Sequence, residues 1–235
     1  MPVVTISGQV ASGVIEVARL TADLLGAAYV DREILAEVAQ RAGAPPETLA
    51  SRDERLNTLG QRIANTLRRM LEAQAAAGMV GDVFVESSGV PVLLGRTYEE
   101  AAATAFTRSE EVSDAQYFAL LQSVIKDLAA LGNIVIVGRG GQFILHDHPE
   151  ALHVRVIAPL EVRVERLVQA EGLEPREAEK QLRQADQYQA AFFRKFFRSD
   201  VQDAMRYDIV LNTAKIPYEH AAATLADLAQ LVVAH

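Results

Sequence analysis

The chain has 235 residues, of which half are apolar, and it carries a formal net charge of −8. This length fits one α/β domain with an insertion. The acidic balance argues against a nucleic-acid surface, which is usually basic, and the lack of cysteine excludes disulfides, thiolate metal sites and cysteine nucleophiles. No apolar run is long enough to span a bilayer, and the chain enters a predicted strand without the basic segment of a secretory signal. We therefore expect a cytoplasmic protein with no nucleic-acid or membrane partner, and the oligomeric state stays open.

The first thirty residues predict one βαβ unit. The β-branched run Val3–Ile6 predicts a buried strand. Gly8 and Gly13 enclose a short loop, and the apolar periodicity after it predicts a helix that ends at Gly26. Ala28–Val30 predicts a second strand. A loop of this kind directs backbone N–H groups and a helix N-terminus at a phosphate.

The loop has the G-x-x-x-x-G frame of a phosphate-binding P-loop but not the Lys-Ser/Thr pair that completes the motif. Val14 and Ile15 stand at those two positions, so neither a lysine for the phosphates nor a hydroxyl for magnesium is present there. Two glycines at this spacing also occur in ordinary strand-to-helix turns. The loop alone therefore leaves a phosphate site and a simple turn as equal alternatives.

The segment after the second strand departs from a plain βαβ repeat. Asp31 can cap the next helix, but it and Arg32 also stand where open α/β sheets bind ligands. We interpret residues 45–115 as an insertion over the ligand edge of the sheet, either a structural cover or a moving lid, with helices at 56–71 and 99–104. Ser113, with Gln116 three residues on, predicts the start of the following helix, which ends at Gly132.

A continuous β-branched run at 134–137 predicts a fully buried strand. It ends on Gly138-Arg139-Gly140-Gly141, where glycines allow close backbone approach and the arginine fork suits a phosphate. The alternative is a surface arginine in a turn.

The rest of the chain predicts two more strands and three helices. The strands are 152–157 and 207–212. Pro159 is expected at the first position of a helix that carries Arg163 and Arg166. A long helix from Pro175 to about residue 197 ends in FFRKFF, whose aromatics we interpret as core or as part of a site, and a last helix covers 218–233.

Taken in order, these motifs resemble the cytidylate kinase-like family of P-loop nucleoside monophosphate kinases. The matching segments are TISGQVASGVIEVARLTADLLG, YVDREIL, NIVIVGRGGQFIL, RVIAPLEVRVERL, the helix with the FFRKFF end, and YDIVLNT. The resemblance implies an α/β fold of the P-loop NTPase type, a three-layer sandwich with a five-stranded parallel sheet, a helical insertion and a lid. It implies a single domain, with a core at 1–44 and 116–235, an acceptor cover at 45–115 and a lid at about 172–200.

The resemblance also implies roles for residues at matching positions. ATP would be the phosphoryl donor, and Mg²⁺ would arrive with it, without a dedicated protein ligand. The residues implied at the donor site are Gly8, Gln9, Ala11, Ser12, Gly13, Val14 and Ile15, with Arg166 against the donor base. Asp31, Arg32 and Arg139 are implied at the acceptor site. Arg183, Asp186 and Arg194 are implied as catalytic lid residues that clamp the transferring phosphate.

Two departures from the family pattern bear on the rate of reaction. Ile15 stands where the family has an arginine in the loop, and Gln189 stands where it has a further lid arginine. Phosphoryl transfer depends on neutralising charge on the transferring group. We therefore expect either a slow enzyme that moves the γ-phosphate of ATP to a pyrimidine nucleoside monophosphate or similar acceptor, or a weak or inactive relative that binds nucleotide as a sensor or assembly subunit. Arginines at four ligand positions disfavour a third alternative, a domain without a ligand.

Overall fold

The computed structural model describes residues 1–32, 97–99 and 108–233. The strands are β1 (Val3–Gly8), β2 (Ala28–Val30), β3 (Ile134–Val137), β4 (Ala151–Ile157) and β5 (Ile209–Asn212). The helices are α1 (Val14–Leu25), α2 (Arg108–Ala129), α3 (Gly141–Ile144), α4 (Leu160–Glu171), α5 (Pro175–Phe197) and α6 (Tyr218–Val233), with a 3₁₀ turn at Ala204–Arg206. None of these described helices has the length and apolarity that crossing a membrane requires.

The chain divides into two compact units. The first comprises Met1–Tyr29, Thr97–Thr104 and Gly132–His235, and the second comprises Val30–Arg96 and Ala105–Leu131. In the second unit, α2 carries a stripe of buried apolar residues at three-to-four spacing: Tyr117, Leu120, Leu121, Val124, Ile125 and Leu128.

The sheet of five strands has the order β2-β3-β1-β4-β5, with β1 at its centre. β1 pairs in parallel with β3 on one side and with β4 on the other, and β4 pairs in parallel with β5. Val3 lies opposite Ile134 and opposite Ala151. The predicted α/β class, the parallel sheet and the five strand positions are confirmed.

Alternate residues of the central strands form the main apolar core of the first unit. Val4 and Ile6 of β1 and Val154 and Val156 of β4 belong to a cluster that includes buried residues of α1 and α6. Because side chains alternate across a strand, Thr5 and Ser7 point to the other face of the sheet. The carboxyl end of β1 leads into the glycine loop, so the core fixes the point from which that loop begins.

Two predicted helix starts are wrong. α2 begins at Arg108 rather than at Ser113, because no glycine or proline between 108 and 113 ends the helical run upstream of the serine. Pro159 is the N-cap of α4 rather than its first residue, with an extended ψ of 149°. The predicted helix at 56–71, all of the predicted helix at 99–104 except Glu99, and most of the insertion at 45–115 lie outside the described residues.

Candidate functional site

The loop between β1 and α1 depends on left-handed backbone conformations. Ala11 has φ 59° and Gly13 has φ 82°. A side chain at Gly13 would be strained there, and a Cβ would lie only 2.4 Å from Cε1 of Tyr218. The glycine therefore lets the loop pass close to the tyrosine ring and turn directly into the first turn of α1, whose leading N–H groups have no intrahelical acceptor.

Every backbone carbonyl from Gly8 to Ser12 accepts a hydrogen bond. The donors are Gln189 Nε2 to Gly8 at 2.9 Å, the Ser12 N–H to Gln9 at 3.1 Å, Arg163 Nη1 to Val10 at 3.5 Å, Arg166 Nη1 to Ala11 at 3.3 Å and Thr213 Oγ1 to Ser12 at 2.6 Å. In a trans peptide the C=O and N–H point in opposite directions. Four of the five carbonyls are held by side chains from outside the loop, so the N–H groups of those peptides point away from these side chains, as they do in an anion-binding nest.

Arg163 and Asp186 form a bidentate ion pair beside this loop. Nη1 lies 3.1 Å from Oδ1 and Nη2 lies 2.8 Å from Oδ2. The arginine side chain is only 4% exposed and that of the aspartate 31%. The predicted lid residue Asp186 is thus brought to the loop, where it neutralises a buried guanidinium.

Two buried polar atoms at the loop have no hydrogen-bond partner among the described residues. They are Oγ of Ser12 and Nε of Arg163. Burying such a group without a partner costs free energy, so unsatisfied groups are rare in folded proteins and call for an explanation. A bound anionic ligand or ordered water at the loop would satisfy groups of this kind.

Arg166 joins the loop to the end of β5. Its Nη1 donates to Oγ1 of Thr213 at 3.0 Å and its Nη2 donates to the Thr213 carbonyl at 2.8 Å. The guanidinium also lies 5.3 Å from the ring centroid of Tyr218. The arginine predicted to lie against a donor base therefore packs on an aromatic ring of the protein, and its role toward a base stays a prediction.

Val14 and Ile15, at the positions of the missing lysine and hydroxyl, take part in packing. Both pack against the main core cluster. A Cβ on Gly8 would lie 2.5 Å from Cβ of Val14, so the valine fills the space directly behind the loop. No group of acidic or histidine residues suited to a metal ion occurs in the described part of the chain. These residues do not fit a protein-held magnesium site at this loop.

The second glycine loop, Gly138–Gly141, holds Arg139 in a buried position. Gly138, Arg139 and Gly140 all have positive φ, at 74°, 58° and 72°. Arg139 is only 3% exposed, so the alternative of a surface arginine in a turn is wrong.

Tyr98 links the two loops. Its hydroxyl accepts the backbone N–H of Arg139 and is hydrogen-bonded to Gln189, whose amide also reaches Gly8. Burial raises the pKa of Tyr98, although the positive charge of Arg139 opposes that shift. The tyrosine therefore stays a neutral phenol at physiological pH.

An aromatic cluster supports this second loop. Tyr98 meets Phe192 edge-on at 5.0 Å between ring centroids, and Phe143 stacks on Phe197 at 4.8 Å. A Cβ on Gly140 would lie 2.3 Å from Phe197, which explains the glycine there. Phe192 and Phe193 are fully buried and belong to the core, while Phe196 and Phe197 of the FFRKFF segment are half-buried.

Two of the other predicted site residues lie on the exposed surface of α5. Arg183 is exposed and pairs with Glu179 at 2.7 Å, and Arg194 is exposed in the last turn of α5. Arg183 borders a groove of about 590 Å³ on the outer face of α5. Asp31 and Arg32 lie in the second unit. The structure thus gathers the loop, Arg166, Asp186 and Arg139 in the first unit, and the roles given to them above stay predictions.

Sequence reasoning missed four residues of the site: Tyr98, Arg163, Thr213 and Tyr218. Arg163 stands three residues before Arg166 on the same helix, and this spacing could have indicated a shared face. Thr213 directly follows the last strand, at the sheet edge where ligands bind. Tyr98 lies in a stretch with no periodic pattern, so no sequence signal identified it.

The sheet is parallel, a glycine loop joins its central strand to a helix, and arginines converge on that loop. These features define the P-loop type of α/β protein. The model of the cytidylate kinase-like family matches residues 3–215. The chain belongs to this family, and it is a nucleotide kinase-like protein.

Individual relatives are more distant. Cytidylate kinases of Methanopyrus kandleri and Ignicoccus hospitalis are 28% identical over 98 and 105 residues, which are 38% and 45% of this chain. These matches span 51% and 60% of the relatives' own length. The crystal structure of an uncharacterized protein from Eubacterium ventriosum covers 98% of this chain and 99% of its own, with a TM-score of 0.60 at 15% identity. This last similarity concerns the fold alone.

Proposed function

We propose that the protein binds ATP at the Gly8–Gly13 loop and transfers its γ-phosphate to a nucleoside monophosphate, preferably a pyrimidine one, or to a similar small acceptor. The observation that supports this proposal most strongly is the loop whose five carbonyls are held by hydrogen bonds. A loop that is fixed in this way can present its amides to a phosphate chain. ATP and a nucleoside monophosphate as substrates are in keeping with a cytoplasmic location.

In this proposal the donor phosphates rest on the loop amides and on the N-terminus of α1. Arg166 supplies a guanidinium that already reaches the loop at Ala11. Ser12 Oγ supplies a hydroxyl within the loop itself. Magnesium would be carried by the phosphate oxygens, since residues 14 and 15 are apolar.

The acceptor phosphate binds at Arg139. Its planar fork suits two phosphate oxygens, and the backbone of this residue is fixed by the Tyr98 hydroxyl. An oxygen of the acceptor phosphate attacks the γ-phosphorus, the bond from that phosphorus to the β,γ-bridging oxygen breaks, and ADP leaves with that oxygen. Arg183 and Arg194 would approach the transferring group from α5.

We expect this transfer to be slow. A lysine in the loop and a further lid arginine would neutralise charge that develops on the transferring group, but Val14 and Gln189 occupy those positions. Turnover should therefore lie below the range of about 1–100 per second that is common for kinases.

One observation favours the second candidate function, nucleotide binding without catalysis. Gln189 donates to the Gly8 carbonyl, and Val14 fills the space behind Gly8, so both departures are built into the packing of the loop. A protein of this kind would act as a nucleotide sensor or as a subunit of an assembly.

Calorimetric titration with ATP, CMP and dCMP, with and without magnesium, followed by a coupled assay for ADP, tests both candidates. Binding of ATP and of a monophosphate, together with slow formation of ADP, supports the kinase. Binding of ATP without any formation of ADP supports the sensor. Absence of ATP binding contradicts both.

The double variant Val14→Lys with Ile15→Ser tests the explanation of the slow rate. It restores the cation and the hydroxyl and should raise both ATP affinity and turnover. Val14→Ala with Ile15→Ala is the matched control, because it removes the same packing without adding a cation. Wild-type turnover already in the common kinase range would show that another cation replaces the lysine.

A further inference from the structure

Arg155 is a buried arginine next to the start of the glycine loop. It lies on β4 opposite Ser7 of β1, and Ser7 immediately precedes Gly8. The residue is only 4% exposed. Its Nη1 donates to Ser7 Oγ and to the Tyr207 hydroxyl, both at 3.4 Å.

No carboxylate in the described part of the chain forms an ion pair with Arg155. Its interactions are the two long hydrogen bonds, both from one nitrogen, and a contact of 5.6 Å between its guanidinium and the ring centroid of Tyr207. Burying a charge without an opposite charge costs folding free energy. Arg163, in contrast, is equally buried but is neutralised by Asp186. Stability alone therefore gives no reason for an arginine at 155, where an apolar residue would fit the strand.

The surroundings hold this guanidinium in one place. The Tyr207 hydroxyl donates to the Val201 carbonyl at 2.8 Å and accepts from Gln142 Nε2 at 3.0 Å. The ring under the guanidinium is thus fixed by two further hydrogen bonds. The charge of Arg155 is therefore held beside the end of β1, where that strand leads into the first glycine loop.

We propose that Arg155 supplies, from β4 beside the end of β1, positive potential that the loop lacks at positions 14 and 15, and so strengthens phosphate binding without touching the nucleotide. This inference rests on the proposed function. A unit charge about 10 Å from a phosphate, at an effective dielectric of about 20, changes the binding constant by about tenfold. Because the effect is one of charge, it grows with the number of phosphates on the ligand.

The test compares Arg155→Met with the wild type for ATP, ADP and AMP by calorimetry. We expect a loss of about tenfold or more in ATP affinity, a smaller loss for ADP and the smallest for AMP. Arg155→Lys keeps the charge and should retain most of the preference for ATP over AMP. Tyr207→Phe is the control, since it removes a hydrogen bond and keeps the charge, and it should leave that preference unchanged.

A second readout is thermal stability. Replacing an unneutralised buried cation by a methionine should leave the melting temperature unchanged or raise it. Equal weakening of all three ligands together with a lower melting temperature would show a structural role and overturn the proposal. So would loss of the ATP preference in Arg155→Lys, or unchanged affinities in Arg155→Met. Wild-type protein that binds no nucleotide would instead overturn the proposed function itself. If Arg155→Met does not fold, the Arg155→Gln variant provides the same comparison.

Discussion

Replacing Thr213 by valine removes one hydroxyl that ties the glycine loop to the end of β5. The threonine is 4% exposed, donates to the Ser12 carbonyl at 2.6 Å and accepts from Arg166 at 3.0 Å. Losing two such bonds and leaving a buried carbonyl without its donor costs about 2–3 kcal/mol of unfolding free energy. For a protein of this size that corresponds to a fall of about 4–12 °C in melting temperature. Since the loop amides lose their anchor, ATP affinity should fall about tenfold.

Thr224→Val is the matched control. Thr224 is exposed on α6, where its hydroxyl donates to the carbonyl of His220 at 2.9 Å. The same chemical change there should alter the unfolding free energy by about 0.5 kcal/mol or less. Denaturant unfolding and calorimetry with ATP measure both quantities. If Thr213→Val lowers stability and ATP affinity no more than Thr224→Val does, the loop is not held as described.

Three further predictions concern single residues. Arg139→Lys should weaken monophosphate binding nearly as much as Arg139→Ala in a calorimetric titration, because a two-pronged contact is lost, and unchanged affinity in Arg139→Ala would show that the acceptor site is misplaced. Gly13→Ala should cost about 3 kcal/mol of unfolding free energy, since backbone strain adds to the close approach to Tyr218. Gly26 has φ 55° with open space around it, so Gly26→Ala should cost only the backbone strain, about 1 kcal/mol of unfolding free energy. If the two glycine variants cost the same, the close approach of Gly13 to Tyr218 does not contribute. Burial lowers the pKa of His153 below its usual 6.5, so the unfolded state takes up a proton that the native state does not. The contribution of His153 to the free energy of unfolding should therefore be fully present above about pH 6.5, and below that pH the free energy should fall by at most about 1.4 kcal/mol per pH unit. A series of unfolding curves at different pH values measures this, and the prediction is refuted if His153→Leu keeps the full wild-type dependence on pH.

The fold was predictable from the sequence because its strands are short apolar runs with clear boundaries. The continuous run at 134–137 and the glycine after α1 are examples of signals that depend only on local chemistry. The start of α2 was not predictable in the same way, because Ser113 is a good capping residue that the helix runs through. A serine that could cap a helix does not mark its start where no glycine or proline precedes it to end the helical run.

The site was predictable only in part. The glycine loop and Arg139 stand at strand ends and could be found from their position. The residues that hold the loop carbonyls, such as Gln189 and Thr213, come from remote parts of the chain and meet the loop only through the fold. Arg155 lies in the middle of an apolar strand pattern, where nothing in the sequence shows whether its charge is neutralised.

The most direct test of nucleotide binding at the glycine loop is amide chemical-shift mapping of the labelled protein with ATP. The largest shifts should fall on the amides of residues 8–15, with CMP shifting those of residues 138–141 instead. ATP-induced shifts that leave residues 8–15 unchanged, or that centre on the outer groove beside Arg183, would contradict binding at this loop.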